Sequence, residues 1–402
     1  MEFFYLLILR KCIIASLACA YTLTDEDNLH TALLTGYNKD LRPGIDRTHP
    51  LNINASFYLF SINEFDLNIG KFTITGVFEI DWYDERLSWS PASYNQTNMT
   101  VIPQNRMWLP NLINVNPYKE IKGLGSDLVN IHILYSGLCS WYALQVSEVI
   151  CDADVTKYPF DTQFCTLKFF IWGYQPHEVF LNFQTMHVIL TLYSENGIWD
   201  ITDSTTHKKM NMYGYEEIIV GFYLKRRTAY YVVSLLLPIN AIQFLLAFVF
   251  LLPPESGERL GFSTTILLSI VVYLTIIQDK LPEASEPNVS ILSYMLVACV
   301  VSGAILILFV ILSLRIQSCP CDKPVPRSIV RLVKCCRRKA KCCQRKRNVI
   351  DTVEPMESKS EPVVDDEVIW IEVGKCFDVM CFLIFISQIS ITGIIYLSLV
   401  FS

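Results

Sequence analysis

Histidine is scarce in this 402-residue chain: there are six, and none follows His207. The cysteine clusters further on, at 319–321 and 335–343, contain pairs that are adjacent or one residue apart, not the two-residue separation of a zinc knuckle. No resident metal or other cofactor is therefore expected. No nucleophile, base and orienting partner stand in a recognisable arrangement, which argues against an enzyme. Charged residues make up only 18% and the net charge is −6, so nothing argues for nucleic acid as a partner. No internal repeat is present, which removes solenoids and propellers. Apolar residues are plentiful: 52% of the chain, with a mean hydropathy of +0.34, is too apolar for an ordinary soluble protein and long enough for two domains.

Residues 1–20 read as a secretory leader, with apolar runs on either side of Arg10-Lys11 and a small-x-small cleavage site at Ala18-Cys19-Ala20. Four later stretches, 230–252, 260–277, 291–314 and 379–401, are long and apolar enough to cross a bilayer as helices. A secreted N-terminus and four crossings put both termini outside the cell and 315–378 in the cytoplasm. The basic residues of that segment, from Arg327 and Arg331 to Arg345, Lys346 and Arg347, agree with the positive-inside bias. The expected organisation is a leader at 1–20, an outer domain at 21–228, three spans at 229–316, a linker at 317–376 and a last span at 377–402. Such a chain is expected to be a multi-pass membrane protein.

From Thr22 to Arg227 the pattern is β. Phe72, Ile74, Phe78, Ile80 and Trp82 alternate with Thr73, Thr75, Val77, Glu79 and Asp81, as in a strand with one face in a core. Further strands read at 56–62, 128–135, 141–149, 166–170 and 217–226, with Gly, Pro and Asn in the turns between them. This spacing predicts an antiparallel sandwich, preceded by a short helix near 29–37. Asn54, Asn95 and Asn98 open glycosylation sequons, consistent with an outer domain.

Thirteen residues separate Cys151 from Cys165, and Tyr158-Pro159-Phe160-Asp161 lies among them. With four spans downstream, this resembles the Cys-loop receptors, the pentameric ligand-gated ion channels, from about Leu29 to the C-terminus. The resemblance implies an extracellular antiparallel β-sandwich followed by a four-helix transmembrane bundle, with five subunits of a homo- or hetero-pentamer around a central pore. It also implies a Cys151–Cys165 disulfide, which contributes roughly 3 kcal/mol by restricting the unfolded chain. Cys139 is left as a buried thiol on a strand.

The second span carries the most mechanistic information. Steps of three and four align Glu258, Gly261, Thr265, Leu268, Val272, Thr275 and Asp279 on one helical face. In isolation the two carboxylates read as membrane-boundary residues and the aliphatics as core. Repeated five times around an axis, the stripe makes acidic rings at both mouths, a wettable lower pore and a constriction that closes by dewetting. The run Pro254-Glu255-Ser256-Gly257-Glu258-Arg259 through Leu267-Leu268-Ser269 resembles the nicotinic acetylcholine receptor branch. That likeness implies a selectivity ring at Glu258, a gate at Leu268 and cations as the permeant ions. Gly261 departs from it, since the branch usually has Ser or Thr there. Pro238 resembles the branch's helix-distorting proline.

Coupling between the domains is expected from Lys225-Arg226-Arg227, Glu64, Asp66, Phe160, Asp161 and the 283–288 segment, with Arg227 paired to Glu64 or Asp161. For the small extracellular ligand, the resemblance carries over to Trp172 and Tyr215, with Tyr213 nearby. Val115 and Val77 stand where the branch has a tyrosine and a tryptophan, and the adjacent cysteine pair of the agonist loop is missing from 208–215. His132, Ser140 and Tyr142 would face the ligand from the opposite side. Two rings fewer, at about 1 kcal/mol each, would weaken acetylcholine ten- to hundredfold. The cytoplasmic cysteines among basic residues fit palmitoylation beside membrane lipid, with unmodified thiols in a disordered linker an equal alternative. The sequence therefore reads as a subunit of a cation channel. A partner subunit unable to conduct alone, or a recognition receptor that does not conduct, are the rivals.

Overall fold

The computed structural model describes residues 21–126, 128–212, 214–254, 257–279, 281, 289–319, 325–326, 329–331, 333 and 369–401. The expected leader, Tyr213, the 283–288 segment and the cysteine-rich run at 335–343 lie outside these residues. The chain divides into two units: Met1–Ala153 with Thr162–Lys225, and Asp154–Asp161 with Arg226–Ser402.

The first unit opens with helix α1 (Leu23–Leu34), which starts ahead of the expected position. The reason is a capping box: the Thr22 side chain accepts from the Asp25 amide while Asp25 accepts from the Thr22 backbone. Leu29 and Leu33 turn this helix onto the core. Ten strands follow: β1 (Leu51–Asp66), β2 (Lys71–Ser88), β3 (Met99–Pro103), β4 (Leu112–Asn114), β5 (Asn130–Leu134), β6 (Ser136–Ile150), β7 (Thr162–Ile171), β8 (Val179–Phe183), β9 (Trp199–Met210) and β10 (Glu216–Arg226). They form a six-stranded sheet in the order β3-β5-β6-β2-β1-β8 and a four-stranded sheet in the order β4-β7-β10-β9. β1 with β2, β2 with β6, β3 with β5, β5 with β6, β4 with β7 and β7 with β10 pair antiparallel, and at one edge β8 runs parallel to β1.

Phenylalanines from both sheets meet in the core. Phe57 of β1 lies 4.6 Å from Phe78 of β2, which lies 4.7 Å from Phe169 of β7. Phe222 of β10 closes the group at 6.4 Å from Phe57. Each is at most 2% exposed, and burial of one such ring contributes about 1.5–3 kcal/mol. Gly76 makes room for them, since a Cβ there would meet Phe57 Cζ at 2.5 Å and the Tyr58 carbonyl at 2.7 Å. Cys151 and Cys165 are joined by a disulfide, and Cys139 is a buried free thiol on β6.

Among its described residues the second unit contains four helices long and apolar enough to span a membrane: α2 (Ala229–Leu251), α3 (Arg259–Gln278), α4 (Ile291–Gln317) and α5 (Trp370–Phe401), with mean hydropathy between 2.1 and 3.1. Helix α2 is irregular. A π turn at Val232–Leu236 ends two residues before Pro238, and the last residues of α2, Phe248–Leu251, tighten to a 3-10 turn. Gly303 lets α4 approach closely, because a Cβ there would stand 2.9 Å from Leu267 of α3.

Candidate functional site

All seven stripe residues, Gly261, Thr265, Leu268, Val272 and Thr275 on α3 with Glu258 and Asp279 as its two caps, are exposed on the single chain, Leu268 at 63%. Arg259, Ser263, Ile266, Ile270 and Ile277 are buried. The stripe therefore faces away from the other three spans. Its hydroxyls have a common orientation in chemical terms: Thr265 donates to the Gly261 carbonyl at 2.8 Å and Thr275 to the Val272 carbonyl at 2.7 Å. Each has used its one hydrogen on its own helix and offers lone pairs outward, which suits a cation.

The N-terminal end of α3 is anchored by a buried ion pair. The guanidinium of Arg259 donates to Asp378 of α5 at 3.0 Å, with side chains 3% and 6% exposed. Asp378 also accepts from Ser313 and, at 2.8 Å, from Gln317, both of α4. Arg259 donates to the Leu252 carbonyl at 2.6 Å and so reaches the end of α2. One carboxylate thus ties the last span to the start of the stripe helix.

The 154–161 segment belongs to the helical unit. Its Thr156 carbonyl accepts from the Ile291 amide at the start of α4, and Phe160 packs against Phe401 with centroids 5.1 Å apart. Asp161 receives two bonds from Arg226, at 2.7 and 2.8 Å, in a bidentate fork. The Arg226 guanidinium also lies over the rings of Tyr158 and Tyr231. The expectation gave this role to Arg227, which is exposed. Strand parity explains the shift: Phe222, Leu224 and Arg226 are on the buried side of β10, with Tyr223 and Lys225 on the exposed side. Glu64 accepts from Lys71 at 3.0 Å, so it is engaged within the first unit, and Asp66 stands at the β1–β2 turn.

The expected ligand residues fall into two groups on different sheets. Trp172, 60% exposed, follows β7 and packs on Phe170 at 5.5 Å, and Phe170 in turn packs on Tyr215 at 5.8 Å. Val115 directly follows β4 of the same sheet and donates its amide to the Lys168 carbonyl of β7. Tyr174 turns inward and its hydroxyl accepts from Trp108 at 3.2 Å. The second group lies on the six-stranded sheet, where Val77 pairs with Leu144, Glu79 with Tyr142, and Asp81 with Ser140, itself opposite His132. The hydroxyls of Tyr58 and Tyr142 donate to the two oxygens of Glu79 at 2.9 and 3.2 Å. Burial, and then the Glu79 charge, raise the pKa of both phenols above the ordinary tyrosine value, while burial alone lowers that of His132. Glu79 and Asp81 are 8% and 6% exposed. The expected solvent face of β2 is thus covered, because β2 is central and large side chains from β1 and β6 lie across it.

The family profile described as the neurotransmitter-gated ion-channel ligand binding domain matches residues 26–228, and that of the transmembrane region of the same channels matches 235–356. The chain belongs to the neurotransmitter-gated ion-channel family. Similar proteins include "Ligand-gated ion channel 4" of Caenorhabditis elegans, 31% identical over 65% of this chain and 42% of that protein. "Neuronal acetylcholine receptor subunit non-alpha-2" of Carassius auratus is 29% identical over 65% of this chain and 57% of its own length. Human "Neuronal acetylcholine receptor subunit beta-3" is 27% identical over 86% and 76%. The chain spans about half the length of the first two. This neurotransmitter-gated channel family is pentameric and non-enzymatic.

Against that family background, Phe170, Glu79 and Asp378 stand out as residues given no role from the sequence, and Arg226, named there only within the basic run 225–227, takes the Asp161 pairing expected of Arg227. For Arg226 the signal was strand parity. For Asp378 it was a lone carboxylate at the edge of an apolar run, which requires a partner at membrane depth. The sequons also differ in setting: Asn95 and Asn98 are exposed, whereas Asn54 is in β1 between β2 and β8.

Proposed function

We propose that the chain is a subunit of a cation-selective pentameric channel of the plasma membrane, opened by a small extracellular ligand that binds where subunits meet. The observation that carries this reading is the exposed stripe from Glu258 to Asp279, acidic at both ends, with hydroxyl lone pairs outward and Leu268 and Val272 between. The exposed Leu144, Val146 and Ile150 on β6 supply apolar area for a neighbouring subunit in a homo- or hetero-pentamer. The ligand would lie between the Trp172, Phe170 and Tyr215 rings of one subunit and the Val77, His132 and Tyr142 face of the next. Tyr213 belongs to this proposal on sequence grounds. Val115 and Val77 reduce the aromatic wall, so acetylcholine is at best a weak agonist. Both termini are outside the cell, and glycans are carried at Asn95 and Asn98.

The test is a reversal potential in dilution gradients, recorded in a Leu268→Thr background chosen to weaken the constriction. Movement with the cation gradient supports the reading, and Glu258→Ala should reduce selectivity more than Asp279→Ala. A reversal potential that follows chloride would overturn it.

A further inference from the structure

Pro238 creates a local problem that a residue of the stripe helix resolves. A proline has no backbone N–H, and at α-helical spacing the carbonyl deprived of a donor is that of Ser234, four residues earlier. The turn widens here, with the Leu237 amide reaching back to the Val232 carbonyl. Carbonyls on such a turn need donors from elsewhere, above all inside a bilayer. Two side chains supply them. Asn240 donates to the Leu236 carbonyl at 2.6 Å. The hydroxyl of Tyr273, on α3, donates to the Ser234 carbonyl and lies 3.4 Å from the Leu235 carbonyl.

We propose that Tyr273 is a gating latch: its hydroxyl replaces the donor that Pro238 removes and so couples the C-terminal third of the pore helix to the distorted turn of α2. The inference rests on the channel reading above, and it adds a residue that positions the pore without lining it. Tyr273 lies off the exposed stripe and is half-buried against α2. α3 is thus held at two places, at Arg259 by α5 and at Tyr273 by α2. A rotation of α3 that widens the constriction must break or remake the second tie, because a phenol bonded to one carbonyl has only one geometry of good strength. The acceptor is backbone, so the Ser234 side chain has no part in it.

The experiment is a double-mutant cycle on the full chain, read as spontaneous open probability of single channels in the Leu268→Thr background, with no ligand added. Tyr273→Phe should change open probability about three- to tenfold, the range set by one ordinary hydrogen bond. Pro238→Ala restores an N–H for the Ser234 carbonyl, so adding Tyr273→Phe to it should change open probability by less than about twofold. Ser234→Ala should leave the Tyr273→Phe effect intact. A silent Tyr273→Phe, or an equal effect in both Pro238 backgrounds, would overturn the latch. If the chain alone carries no current, as a partner subunit would not, thermal unfolding of the purified protein runs the same cycle: loss of the Tyr273→Phe shift in Pro238→Ala keeps the tie, an unchanged shift removes it.

Discussion

Replacing Asp378 by Asn isolates the value of the Arg259–Asp378 anchor. The substitution keeps the shape and removes one negative charge from a site where Arg259 is 3% exposed. In the wild-type chain the carboxylate accepts from Arg259, Ser313 and Gln317. An amide cannot balance a guanidinium, and its NH2 group would face the donors that the carboxylate accepted from. Removing one partner of a buried ion pair costs about 3–5 kcal/mol, mostly because the other charge stays buried. Arg259 retains its bond to the Leu252 carbonyl at 2.6 Å, which places the expected loss toward the lower end. For a unit of this size, a loss near 3 kcal/mol lowers the unfolding midpoint by roughly 6–12 °C. The assay is thermal unfolding of the purified assembly, with surface expression measured in parallel. The paired change Arg259→Met with Asp378→Leu should recover most of the loss, since apolar replacement of a whole buried pair is near neutral. A midpoint within about 2 °C of wild type for Asp378→Asn would refute the reasoning, because it would mean that water or another group balances Arg259.

Two further outcomes follow from the packing. Arg226→Gln should destabilise by about 3 kcal/mol, because Asp161 is 2% exposed and loses its bidentate partner, whereas Arg227→Gln, at an exposed position, should change stability by less than about 1 kcal/mol; denaturant or thermal unfolding separates the two. Gly76→Ala should cost about 1–3 kcal/mol through overpacking against Phe57 and the Tyr58 carbonyl, and wild-type surface expression with an unshifted unfolding midpoint would contradict it.

The architecture was legible where one physical requirement dominates the composition of a segment. Twenty apolar residues are needed to cross a bilayer, and the four spans announce themselves by that alone. β2 and β10 announce themselves by alternation. Strands whose side chains meet little core were harder to see. β9, for example, carries Asp200, Asp203, Thr205, His207 and two lysines at the edge of the four-stranded sheet, so its period-two signal is faint. β4 has three residues and borrows its stability from β7. The start of α1 was written in Thr22 and Asp25, but a capping box is a two-residue signal that apolar periodicity alone does not report.

The proposed functional residues divide along the same line. The stripe from Glu258 to Asp279 was readable because its spacing belongs to one helix, and a helix brings residues three and four apart onto one face whatever surrounds it. Glu79, Arg226 and Asp378 owe their roles to partners from 21 to 119 positions away, namely Tyr58, Asp161 and Arg259. No local period encodes such pairs. What the sequence does encode is the cost of leaving each one alone: a charge on the inward parity of β10, or beside an apolar run, cannot stay buried without a partner. Read that way, an improbable charge predicts the existence of a partner before the fold supplies its identity. The same rule extends to groups that are missing. Pro238 lacks a donor, and the structure answers with the Tyr273 hydroxyl from another helix.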